Sequence, residues 1–149
     1  HTNDAPSTIT RLQNMGTPDY LISAACQLVV AQRLARKNCK ECRVPDDDVT
    51  PKVLQDLGFT AELASRVKAV KGKGCPKCNN TGYKGRQGIY EILVVTKPLK
   101  EAILRQATTP ELREIGVKEG FQTMQDMGRR LIASGELNFR EFERVLSGE

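Results

Sequence analysis

The chain has 149 residues, 39% hydrophobic, with a formal charge of +5, three Tyr, four Phe and no Trp. That length allows one ordinary domain or two small ones, and no apolar stretch reaches the roughly 18 residues of a membrane span; the longest, Leu21 to Leu34, is broken by Ser23, Gln27, Gln32 and Arg33. The basic residues cluster at 33–43 and 66–77 without interleaved aromatics for base stacking, so they read as a solvated surface and direct nucleic-acid binding is not expected.

The predicted elements begin with a helix capped by Asp4, with Pro6 tolerated in the first turn, Ile9, Leu12 and Met15 on one face and Gly16 as the stop. Thr17 caps a second helix, with Pro18 in its first position, running through Tyr20, Ile22 and Ala24. Cys26, inside an apolar run, reads as a small buried hydrophobe. Beyond Leu28, the residues Val29, Val30, Gln32 and Leu34 suit either a continued helix or a short strand.

Next come Cys39-Lys40-Glu41-Cys42 and, after 32 intervening residues, Cys75-Pro76-Lys77-Cys78. Two Cys-x-x-Cys pairs brought together make a closed tetrahedral soft-ligand shell, the arrangement of structural zinc. A redox dithiol needs one pair, not two, and the flanking lysines partly offset the dianionic charge of a four-thiolate zinc centre. Thiols at metal-type spacing point to the cytosol. Four such ligands leave no position for water, so Cys39, Cys42, Cys75 and Cys78 are expected to hold Zn2+ for folding and not for catalysis.

Between the pairs, Pro45 to Asp48 is a turn, Thr50-Pro51 opens a short helix stopped by Gly58, and Thr60 opens another through Val67. After Cys78, the glycines at 82, 85 and 88 predict an exposed basic turn carrying Tyr83, Lys84 and Arg86, followed by a strand over Ile89 to Val95. From Thr96 onward the pattern is helical. Helices open at Thr96 or Lys97 with Pro98, at Thr109-Pro110 and at Thr123, and Asn138 with Glu141 resembles a capping box for the last, whose apolar face carries Phe139, Phe142, Val145 and Leu146. The punctuation divides the chain at 1–38, 39–95 and 96–149, the last a small helical bundle.

Catalytic signals are sparse: His1 is the only histidine, and there is no Gly-x-x-x-x-Gly-Lys-Ser/Thr loop or pair of carboxylates beside a nucleophile. Alone, a histidine at position 1 reads as a terminal residue. Its context is more specific. His1-Thr2-Asn3-Asp4-Ala5, followed by Thr10-Arg11-Leu12 and Met15-Gly16, resembles the histidine box of the secretion ATPases that power type IV pilus assembly and type II secretion. Ala31-Gln32-Arg33-Leu34-Ala35-Arg36 is similar to the family's approach to its tetracysteine motif, and the run from Cys75-Pro76-Lys77-Cys78 to Gly88-Ile89-Tyr90-Glu91 to the second half of that motif.

The resemblance implies an α+β, mainly helical chain: the tail end of a RecA-like ATPase core (1–38), a tetracysteine zinc-binding subdomain (39–95) and a C-terminal helical part (96–149). It implies a cytoplasmic hexameric motor whose phosphate-binding loop and acidic motifs, which hold ATP and Mg2+, precede the histidine box, so the 149-residue chain is expected to be a C-terminal piece without ATPase activity. His1 would point at the γ-phosphate, Thr2 and Asn3 would orient the imidazole or cap the helix, and Arg11 would read phosphate or pair across a subunit boundary. The basic turn would lie where an inner-membrane platform protein or a neighbouring subunit docks. Pilus assembly, type II secretion and DNA uptake share these boxes; a retraction motor fits less well because it typically lacks the tetracysteine insertion. The alternative is a free-standing zinc-ribbon module binding nucleic acid or protein, which has no use for a histidine box.

Overall fold

The computed structural model describes residues 4–147, and among them helices and strands come in runs, the α+β arrangement, with four consecutive helices after the last strand. His1, Thr2 and Asn3 lie outside the described residues. Two compact units are each assembled from two stretches of chain: residues 1–32 with 90–124, and 33–89 with 125–149.

In the first unit, α1 (Ala5–Asn14) starts where predicted, because Asp4 Oδ1 accepts the Ser7 N–H at 2.8 Å. Ala5 and Ile9 are fully buried, whereas Met15 is exposed at the C-cap. α2 (Asp19–Ala25) begins one residue later than expected; Pro18 is its N-cap, and no side chain caps it. Cys26 follows as the C-cap and is only half-buried, which corrects the buried reading: the helix ends there and the chain turns outward into β1. Partial burial still pushes its thiol above the ordinary value.

β1 (Leu28–Asn38) resolves the ambiguous stretch as an eleven-residue strand paired with β4 (Tyr83–Val94). Within the first unit, Val29, Ala31, Glu91 and Leu93 are buried while Leu28, Val30, Tyr90, Ile92 and Val94 are exposed, the period-2 alternation of a sheet with one covered face. α5 (Lys97–Leu104) packs on α2, and α6 (Thr109–Lys118) packs on α1 and α5. Leu99, Ile103 and Leu112 are fully buried there, each contributing about 2 kcal/mol of hydrophobic stabilisation. The α6 cap is Thr108, not Thr109. The Thr109 hydroxyl instead meets that of Thr10 at 2.7 Å, tying α6 to α1. Thr96 takes the N-cap position of α5, but its hydroxyl makes no capping bond.

In the second unit, β2 (Arg43–Pro45) and β3 (Val70–Gly72) form an antiparallel ribbon with Arg43 opposite Gly72 and Pro45 opposite Val70. Between them, α3 (Pro51–Asp56) and α4 (Ala61–Arg66) are capped by Thr50 and Thr60 as expected. They bury Leu54, Phe59 and Ala64, a core too small to hold the excursion by itself. α7 (Met124–Ser134) starts in the first unit at Met124 and otherwise belongs to the second, as does α8 (Phe139–Ser147). The predicted capping box of α8 is half formed. Asn138 Oδ1 accepts the Glu141 N–H at 2.7 Å, but the Glu141 carboxylate turns away to Arg36 and Arg144.

Candidate metal centre

The ribbon delivers both cysteine pairs. Cys39 follows the end of β1, Cys42 immediately precedes β2, and β3 ends three residues before Cys75. Each pair is hydrogen-bonded to the flank of the other: the Lys73 N–H donates to the Cys42 carbonyl and the Cys39 N–H to the Gly82 carbonyl, both at 2.9 Å. Pro76–Cys78 is a single 3-10 turn, and Asn79 and Asn80 follow at positive φ, which Asn tolerates better than most residues.

Four sulfurs result, all within 4.8 Å of one another. Cys39 and Cys75 Sγ are 3.8 Å apart, Cys42 and Cys78 3.9 Å, and Cys75 and Cys78 3.7 Å. Tetrahedral zinc with Zn–S bonds of about 2.3 Å separates its sulfurs by about 3.8 Å, whereas a disulfide needs about 2.05 Å. The spacing is therefore that of ligands around one ion, and the donor set is the one zinc favours.

Backbone donors prepare the sulfurs for metal. Gly74 N–H lies 3.3 Å from Cys42 Sγ, and the Cys75 and Gly82 N–H groups lie 3.3 and 3.2 Å from Cys78 Sγ. Burial works against the Cys78 thiolate, but the bonds from Cys75 and Gly82 outweigh it and bring the group down to about 6. At Cys42, burial and the neighbouring sulfurs outweigh the Gly74 bond and push the thiol up to about 11. A metal must displace the proton held at Cys42, so its affinity rises with pH.

Two glycines bring the strands close enough for this geometry. A Cβ on Gly72 would stand 1.9 Å from the Gly82 carbonyl oxygen, and one on Gly82 2.4 Å from that of Gly72. Gly72→Ala is therefore expected to cost on the order of 3 kcal/mol, read as a lower urea midpoint of metal-loaded protein; a midpoint equal to the parent's would show that the ribbon opens without strain.

Behind the cysteines lies a polar cluster that sequence patterns alone do not reveal. Asn38, 1% exposed, donates from Nδ2 to the carbonyls of Gly135 (3.0 Å) and Val70 (3.2 Å), and its Oδ1 accepts from Asn138 Nδ2 at 3.2 Å. Asn138 Nδ2 also donates to the Tyr83 hydroxyl at 3.0 Å. Arg36 stacks over the Tyr83 ring at 4.0 Å and binds the fully buried Glu141 through Nε at 2.7 Å and its own N–H at 2.9 Å. Arg144 supplies a second cation to the same carboxylate. Burial would raise Glu141, but Arg144 and Arg36 overcome that and pull it down to about 2.

This cluster corrects the predicted exposed turn. Tyr83, Lys84 and Arg86 lie on β4 itself, and although Lys84 and Arg86 are exposed, Tyr83 is half-buried under Arg36. β4 takes in Gly85 and Gly88, while Gly82 stays in the bend just before it, at positive φ. Of the other predicted residues, Arg11 lies on the exposed side of the last turn of α1, in the first unit. The histidine proposed to meet phosphate, His1, is outside the described residues.

Residues 1–144 match the family described as Type II/IV secretion system protein. The chain is 36% identical over 141 residues to the type IV pilus assembly ATPase PilB of Myxococcus xanthus, covering 95% of this chain and 25% of that protein. It is 40% identical over 131 residues to PilB of Thermus thermophilus, covering 86% and 14%. It is 37% identical over 145 residues to the type II secretion system protein HxcR of Pseudomonas aeruginosa, covering 97% and 27%. The chain thus spans a quarter or less of the two pilus ATPases and little more of the secretion protein.

Proposed function

We propose, from the premise that this chain belongs to the type II/IV secretion system protein family, that it is the C-terminal part of a cytoplasmic hexameric motor ATPase driving type IV pilus assembly or type II secretion. The observation that carries the proposal is the match along nearly the whole chain to relatives named as a type IV pilus assembly ATPase and as a type II secretion system protein. An exposed apolar strand face supports it. Leu28, Val30, Ile92 and Val94 are each about half accessible on one side of β1 and β4, an arrangement suited to a sheet whose remaining cover belongs to a larger core.

In this reading 1–38 closes a RecA-like core, 39–95 is a metal-stabilised segment and 96–149 is a helical C-terminal part. Cys39, Cys42, Cys75 and Cys78 hold structural Zn2+; ATP and Mg2+ bind mainly to parts of the motor preceding His1. The imidazole of His1 donates to the γ-phosphate as charge develops there, and Arg11 reads phosphate or pairs across a subunit boundary. Exposed Lys84 and Arg86 offer cations to an inner-membrane platform protein or a neighbouring subunit. Among the described residues no helix is long and apolar enough to cross a membrane.

The test is ATP turnover. The full parent motor should hydrolyse ATP, His1→Ala in that motor should lower kcat by about tenfold or more, and the isolated 149-residue chain should release no phosphate. Turnover by the isolated chain would sink the proposal.

A further inference from the structure

The unit that carries the cysteines also concentrates the positive charge of the chain. From Leu63 to Ile89 there are seven lysines and arginines and no acid. Arg66 pairs with Glu62 and Lys71 with Asp46, whereas Lys68, Lys73, Lys77, Lys84 and Arg86 are exposed and in no ion pair among the described residues. A four-thiolate zinc centre is dianionic and offsets only two such charges, so this surface stays cationic with the metal in place.

Asp48, Lys71, Tyr83 and Arg140 are among the residues lining a cavity of about 210 Å3 in the same unit, and Lys73 and Lys84 each adjoin a residue of its wall. The donors on that wall are free to take a ligand. The Tyr83 hydroxyl oxygen accepts from Asn138 Nδ2 at 3.0 Å, and Asn138 is 6% exposed, so the oxygen is fixed while its proton has no acceptor among the described residues. Arg140, exposed in the first turn of α8, is in no ion pair among those residues. Lys71 approaches Asp46 only to 3.8 Å, beyond hydrogen-bond range.

A carboxylate, with two acceptor oxygens and one charge, satisfies such donors. A second negative charge on the ligand would stand against Asp48 on the same wall. The cavity is smaller than the roughly 300 Å3 at which small-molecule sites begin, which suits one inserted side chain. Adsorption to a bilayer or to a nucleic-acid backbone needs surface charge alone and no cavity.

We infer that this unit docks an acidic protein segment: one carboxylate enters the cavity to meet the Tyr83 hydroxyl, Lys71 and Arg140, while further acids along the segment pair with Lys73, Lys77 and Lys84. The inference deepens, and rests on, the reading of Lys84 and Arg86 as a contact for another protein.

The experiment follows binding of a labelled peptide of alternating Glu and Gly to the zinc-loaded full-length motor by fluorescence anisotropy. The peptide should bind, and Arg140→Gln should weaken it about tenfold and Tyr83→Phe about fivefold. Lys68→Gln, which removes a charge outside the cavity wall, should weaken it no more than about twofold. No binding, or equal losses in the three variants, would overturn the inference. So would stronger binding, at equal concentration of charge, of phosphatidylglycerol vesicles or of a single-stranded oligonucleotide, which would assign the surface to lipid or nucleic acid. The contact reading is tested separately, by pilus assembly or secretion in cells carrying Lys84→Glu with Arg86→Glu. Loss of assembly there, together with a peptide that does not bind, overturns the acidic segment alone; parental assembly in that double variant overturns both.

Discussion

Replacing Cys78 with serine is expected to abolish stoichiometric zinc binding and to unfold the stretch between the two cysteine pairs, leaving the amide exchange of residues 43–74 close to that of a random coil. Cys78 is the most consequential of the four because it accepts two backbone N–H groups and its thiol is drawn down to about 6. A serine oxygen is a poor substitute for a soft thiolate and would leave a three-sulfur site. The size of the effect follows from how little else holds this stretch. α3 and α4 are six residues each, and β2 and β3 are three residues each. Isolated helices and ribbons of that length are not stable in water, whereas structural zinc in small metal domains contributes on the order of 10 kcal/mol.

A strong chelator should have the same consequence as the substitution. One zinc per chain in the parent, lost with secondary structure on chelation, is the expected result; a well-folded chain without metal, with unchanged circular dichroism, would mean that the sulfur cluster is a dithiol store and not a structural centre. The pH dependence has a definite sign. Metal competes with protons, above all the one held at Cys42, so retention improves as pH rises and fails as the solution becomes acidic.

Local chemistry was legible in the sequence where one turn decides it. Asp4, Thr50 and Thr60 each cap a helix through a bond to the backbone three residues on, and that information lies within a few positions. The cysteine cluster was legible for a different reason: thiolates have few structural uses, and two tight pairs imply one shell. β1 was not decided because Val29, Val30, Gln32 and Leu34 fit either period, and its strand state depends on pairing with β4, which lies far along the chain. Glu91, Asn38 and Glu141 were illegible for the same reason. Their decisive partners lie 86, 97 and 105 residues away, and a polar residue in a strand or helix pattern normally signals a solvent face, not a buried hub. At Asn138 and Glu141 the local rule was half right: the asparagine caps, while the acid is taken by a cation from β1.

That acid supports the second large prediction. Glu141→Gln is expected to destabilise the metal-loaded protein by about 2 kcal/mol at neutral pH, measured by urea unfolding. The carboxylate is fully buried and takes three bonds from Arg36 besides its pair with Arg144. The fall of its pKa from 4.5 to about 2 corresponds to about 3 kcal/mol. The side chains of Arg36 and Arg144 are 50% and 42% exposed, so water already screens part of that attraction, and the smaller figure is the one to expect. Because the folded-state value lies below the unfolded one, the stabilisation is complete above about pH 4.5 and is lost as pH falls toward 2. The difference between parent and variant should therefore stay level from pH 7 to 5 and shrink below about 4.5. It should also survive 1 M salt better than an exposed pair such as Arg66 with Glu62, since the buried oxygens are shielded from ions. A difference under about 0.5 kcal/mol, or one indifferent to acid, would place the hold of α8 on β1 in the Asn38 and Asn138 hydrogen bonds, with the ion pairs contributing little.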